Sequence, residues 1–119
     1  MKDSIIVKPE YAMYDLIDGT PNVHRHHAIH GRGYRELADE LGLWVPLSQK
    51  HHEEGDKQAP GNRCDVHHCK IFDTLVQQLA QACFERNWIA EHQNEDVEPE
   101  VMLDEARKRF RAIFGKSFL

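Results

Sequence analysis

The histidines of this chain are not spread along it. Eight of the nine lie between His24 and His68, in three clusters: His24-Arg25-His26-His27 with His30, then His51-His52, then His67-His68. A chain can use three such clusters as one site only if its fold returns to the same place three times. Histidine is the commonest metal ligand and the usual general base near neutral pH. Adjacent residues on a strand point to opposite faces, so one of His26 and His27 can bind an ion only if the other aims elsewhere. A metal-dependent nuclease needs this division. One imidazole holds the cation that stabilises the scissile phosphate, and another takes a proton from an attacking water. His67 or His68 is placed to complete the shell.

The 119 residues suffice for one domain. With 29% charged and 40% hydrophobic residues, the composition is that of a globular chain rather than a disordered one. No apolar run approaches the ~18 residues of a membrane span. The segment Met1 to Lys8 is too short and too polar for a signal peptide, so a cytoplasmic protein without a membrane partner is expected. Cys64, Cys69 and Cys83 form an odd set without Cys-x-x-Cys spacing, which fits reduced thiols. The net charge of −5 weighs against a broad basic nucleic-acid surface but does not exclude a small cleft.

Ser4 to Val7 is a short β-branched run and reads as an edge strand. Asp18-Gly19-Thr20-Pro21-Asn22 is a turn, and Val23 to Ile29 alternates as a strand. Tyr34 to Leu41 is a short helix with Leu37 and Leu41 on one face, stopped by Gly42. Leu43-Trp44-Val45-Pro46-Leu47 is a strand, with Pro46 restricting it to an edge or to the strand's end. Ser48 reads as the N-cap of a short helix carrying His51 and His52. Glu53 to Asn62 is a polar loop. Ile71 to Ile89 is the strongest helix, with Phe72, Leu75, Leu79, Ala82, Cys83 and Trp88 along its expected inner stripe. After an acidic connection, Pro99 opens a second amphipathic helix. Met102, Ala106, Phe110 and Ile113 or Phe114 line its inner face, and Gly115 ends it.

With these segments in order, the chain resembles the HNH, or ββα-metal, endonucleases, and within them a phage and prophage branch associated with recombination. The resemblance runs from about Tyr14 to Leu119. It rests on Gly19-Thr20-Pro21-Asn22-Val23-His24-Arg25-His26-His27, on Gly42-Leu43-Trp44-Val45-Pro46-Leu47-Ser48-Gln49-Lys50-His51-His52, and on Asp65-Val66-His67. Gln81-Ala82-Cys83-Phe84-Glu85 and the tail Ile113 to Leu119 are similar too. It implies an α+β fold: a small ββα-metal core over about residues 14–70, buttressed by two C-terminal amphipathic helices over about 71–119, in one domain. It implies hydrolysis of DNA phosphodiesters with a divalent ion, of the Mg, Mn or Zn/Ni/Co type. It assigns His26, His52 and His67 as metal ligands and His27 as the general base. Arg32 and Arg35 become candidates for substrate contact, and recombination proteins candidate partners.

The departures from the family are specific. Relatives carry a four-cysteine structural zinc. Here the matching positions are Tyr14, Ile17, Ser48 and His51, so no such zinc is expected and packing by Tyr14, Ile17 and Trp44 is expected to replace it. The middle asparagine of the motif has no match between Gly31 and Gly42. These losses support a rival reading, a catalytically inactive HNH-like module that binds DNA or protein. A zinc-binding scaffold is a third. Arg35 and the run Arg107 to Arg111 either track a phosphate backbone or solvate a helix face. His24, His30 and His92 are read as bystanders.

Overall fold

The structure, a computed structural model, describes residues 2–59 and 61–119. Two antiparallel strands, β1 (Val23–His27) and β2 (Trp44–Ser48), form the sheet. The register pairs Val23 with Ser48, His26 with Val45 and His27 with Trp44. The helix α1 (Tyr34–Glu40) fills the connection between them. A single π-helical turn, Lys50–Glu54, follows β2. Two long helices, α2 (Lys70–Glu91) and α3 (Pro99–Phe114), complete an α+β chain. Among the described residues no helix is long and apolar enough to cross a membrane.

Strand β2 is buried on both faces, with Val45 and Leu47, and Leu43 just before it, fully enclosed. A two-stranded sheet leaves β2 an open edge, and unpaired edge groups need cover. The N-terminal segment supplies it. Ser4 Oγ donates to the Trp44 carbonyl at 2.7 Å, Trp44 Nε1 donates to the Lys2 carbonyl, and Leu16 N–H donates to the Pro46 carbonyl. Residues 4–7 are therefore not the edge strand expected. The Ser4 hydroxyl also accepts the amides of Ile6 and Val7, which bends the chain out of an extended path. Gly42 makes the close approach feasible: its φ is +71°, and a Cβ there would lie 2.5 Å from the Asp3 carbonyl oxygen.

Two further expectations change. Ser48 is the last residue of β2 rather than a helix N-cap, and the turn after it is π-helical. The inner face of α2 is Val76, Ala80, Gln81, Cys83, Phe84 and Glu85, whereas Leu75, Leu79 and Ala82 are exposed. The apolar stripe misleads because Gln81 and Glu85, both polar, occupy the interior. Gln81 donates to Glu85 and to Ser117 Oγ at 2.9 Å each, and its Oε1 accepts the Phe118 amide at 2.6 Å. Arg107 of α3 meets Glu85 with two nitrogens, at 3.0 and 3.1 Å. Apolar contact completes the packing: Phe84, Phe110 and Phe114 join Ala28, Ile29, Val45 and Leu47 in one core.

The end of β2 is fastened by Asp15. Its buried carboxylate accepts the Ser48 amide at 2.7 Å and His51 Nδ1 at 3.0 Å on one oxygen. The other oxygen accepts the amides of Ile17 and Asp18. Tyr14 and Ile17 themselves are 47% and 58% exposed, so they do not pack into the place of a zinc as expected. Of the four positions, Ser48 and His51 instead converge on a carboxylate. Burial alone would raise the Asp15 carboxyl, but the donors from Ser48, His51, Asp18 and Ile17 outweigh it and hold it well below the usual carboxylate range.

A depressed folded-state value stabilises the fold above the unfolded value and is lost as pH falls. Asp15→Ala strands several buried donors and is expected to cost about 3 kcal/mol in urea unfolding at pH 7. The gap between variant and wild type should narrow as pH is lowered below about 4. A gap that is absent at pH 7, or that stays constant down to pH 2, would remove Asp15 from this role.

Candidate metal centre

Three separate elements carry imidazoles to one point. His26 is the fourth residue of β1, His52 sits in the turn after β2, and His67 lies just before α2. One ligand nitrogen from each lies within 4.8 Å of the other two. His52 Nε2 and His67 Nε2 are 3.1 Å apart. Around a tetrahedral ion with bonds of ~2.0–2.1 Å, ligand atoms are separated by ~3.3–3.5 Å. The His52–His67 pair thus stands close to a ligand spacing, with His26 within reach of both.

The chemistry of the donors fits a cation. His26 is only 6% exposed, and its Nε2 has no hydrogen-bond partner among the described residues. A buried polar atom left unpaired costs about 1–3 kcal/mol unless something is bound there. Burial, and then the neighbouring rings of His52, His67, His30 and His27, lower the His26 imidazole to about 3. Burial also lowers His52, with His67 next in effect. Neutral imidazoles keep a lone pair for a metal.

Backbone hydrogen bonds set the spacing of the last two rings. The Val66 amide donates to the His51 carbonyl at 2.7 Å, and the His67 amide to the His52 carbonyl at 3.3 Å. Beneath this ladder Asp65 is fully buried and takes Arg63 Nε at 3.0 Å and His68 Nδ1 at 2.6 Å. Burial opposes its ionisation, but Arg63 and His68 lower it to about 2. His67 and His68, indistinguishable by sequence, therefore have different surroundings: His67 faces His26 and His52, and His68 braces Asp65.

The three rings form one wall of a cleft of about 490 Å³ that is also lined by Arg25, His27, His30, Arg35 and Asp73. His27 stands beside His26 on β1 and faces Asp39 of α1, with Nε2 3.3 Å from Oδ1. A carboxylate only accepts, so Nε2 carries the proton and Nδ1 is the basic nitrogen. Arg25 lies over the Trp44 ring at 4.1 Å, which restrains a guanidinium at the rim. Arg35 reaches the cleft, whereas Arg32 is exposed and does not line it. His30 meets both oxygens of Asp73 at 3.0 Å. His92 stacks on Trp88 at the far end of α2. Cys64 and Cys69 belong to no ion-sized cluster among the described residues.

No family model, curated protein or solved structure matches this chain. Sequence reasoning missed four carboxylates, Asp15, Asp39, Asp65 and Asp73, each of which faces a histidine. Only Asp65 lies within a few residues of its partner. The others are 12 to 43 residues away, so no local spacing marks them.

Two outcomes follow. His67→Ala should weaken Zn²⁺ binding by tenfold or more in calorimetry, whereas His68→Ala should leave it within about threefold and lower stability instead. Equal losses would mean that the loop, not the ligand, was removed. The second outcome concerns pH. A histidine held low in the fold takes up its proton first in the unfolded chain, so stability is present above about 6.5 and lost on acidification towards 3. The urea midpoint of metal-free protein should fall across that window, and less steeply in His26→Phe. Parallel curves for the two proteins would contradict the assignment.

Proposed function

We propose that this chain is a metal-dependent endonuclease of the HNH type that hydrolyses phosphodiester bonds in DNA. The observation that carries the reading is the convergence of His26, His52 and His67 around an unpartnered buried nitrogen, with His27 next to them in the same cleft. Further support comes from the order of the parts. A strand carries His26 and His27, a second strand leads into the turn with His52, and His67 precedes a long helix. This order supports the reading drawn from the ββα-metal resemblance, with a π-helical turn in place of the short helix expected around His51 and His52. The association with phage recombination rests on the sequence resemblance.

His26, His52 and His67 would hold the divalent ion. When bound, such an ion stabilises charge on the scissile phosphate and the leaving oxygen. His27 accepts a proton from the attacking water at Nδ1. Asp39 accepts the Nε2–H and fixes the tautomer and orientation of the ring, which lets a carboxylate take the bracing task of the absent asparagine. Arg25 and Arg35 offer positive charge to the phosphates on either side. In a chain of net charge −5, these two guanidinium groups supply positive charge at the cleft itself.

Supercoiled plasmid with Mg²⁺, Mn²⁺, Co²⁺ or Ni²⁺ provides the test. Wild type should nick it. His27→Ala should lose about 10²–10⁴ in rate while retaining its metal, and His26→Ala should be metal-poor. Nicking by His27→Ala at the wild-type rate with every ion would remove His27 as the base. A wild type that binds DNA but never cuts it would assign the chain to the inactive binding module.

A further inference from the structure

We propose a second cation site beside the first, built from His24, Glu53 and the far nitrogen of His52, so that the His52 ring bridges two ions. The proposal rests on the metal-centre reading above. His24, His52 and Glu53 each offer one ligand atom within 4.8 Å of the others, a set distinct from His26, His52 and His67. His52 belongs to both sets. Its Nε2 faces His67, and its Nδ1 is buried with no hydrogen-bond partner among the described residues. That Nδ1 lies 3.5 Å from Glu53 Oε1. The distance is too long and ill-aligned for a hydrogen bond, but it equals the ~3.3–3.5 Å between ligands on a tetrahedral ion.

The strand accounts for the third ligand. His24 and His26 are two apart on β1 and so project from the same face. The His52 ring sits next to both, with centroids 5.3 Å from His24 and 5.4 Å from His26. His24 is exposed and the Glu53 side chain is half exposed, so the second site opens to solvent. Two imidazole nitrogens and one carboxylate oxygen suit a borderline divalent ion of the Zn²⁺ class. The proton balance is explicit. With Nε2 on the first ion, the remaining ring proton sits on Nδ1. Forming the Nδ1–metal bond breaks the N–H bond, and the proton leaves to buffer.

A simpler arrangement has Glu53 merely accepting the Nδ1–H and orienting His52 on a single ion. Stoichiometry separates the two. Full-length protein is titrated with Zn²⁺ by calorimetry, and the bound metal is counted by elemental analysis. Wild type should take two ions per chain, and His24→Ala and Glu53→Gln one each. Glu53→Gln is nearly isosteric and exposed, so it carries the test should His24→Ala fail to fold by circular dichroism. In the Cu²⁺ form, an imidazolate bridge couples the two spins. Wild type should then show less electron paramagnetic resonance intensity than its copper content, and Glu53→Gln should show the full intensity of one copper.

One ion in wild type, bound about 10–100-fold more weakly in Glu53→Gln, would overturn the second site and leave the first standing. Loss of both ions in Glu53→Gln or a folded His24→Ala would also overturn it. No ion in wild type would overturn both readings together.

Discussion

A buried carboxylate, Asp15, holds the part of the molecule on which the rest of the site depends. It grips the last amide of β2 and the ring of His51, and so fixes where the strand stops and how the next turn leaves it. His52 rides on that turn. The carbonyls of His51 and His52 then receive the amides of Val66 and His67. One anion thereby sets the position of two of the three clustered rings through hydrogen bonds. The physical logic resembles that of a zinc staple, because both tie a strand end to a neighbouring loop. A carboxylate does so with donors that the backbone already has.

The two long helices work on a different principle. Their aromatic contacts, Phe84 on Phe110 at 5.4 Å and Phe110 on Phe114 at 4.8 Å, supply apolar burial. Gln81, Glu85 and Arg107 lie within the same seam, which is an uncommon place for a charged pair. Such a pair contributes little net stability against an apolar replacement, but removing one partner leaves a buried charge alone. The pair ties α3 to α2, and Gln81 beside it seats the tail residues Ser117 and Phe118 against α2. Two segments far apart in the chain, Gln81 to Glu85 and Ile113 to Leu119, are thereby in contact in the fold.

The helices, β2 and the turn glycines were legible because their signals are local: apolar spacing, Pro99 at a helix start, Gly42 and Gly115 at helix ends. The inner face of α2 was not, since a fully buried glutamine looks polar in any periodic count. The N-terminal segment was misread because Ser4 closes a turn on its own neighbours. In the site, the histidines stood out by density. Which of His67 and His68 joins His26 depended on Asp65, whose burial only the fold determines. The carboxylates behind the rings carry no pattern, as side chains that meet across 36 or 43 residues leave no trace in spacing.

The ladder between His51–His52 and Val66–His67 also has a meaning for how the chain can change. It closes the excursion from residue 54 to 64 at its base, so the rings sit at the neck of a loop and not along its arc. Loop closure entropy grows only logarithmically with length, by roughly 0.6 kcal/mol for each doubling. Insertions or deletions near Asp56 to Gln58 therefore leave the neck, and with it the spacing of His52 and His67, where they are. The stretch is a place where length can drift, or a peptide be spliced in, without the chemistry at the base registering the difference.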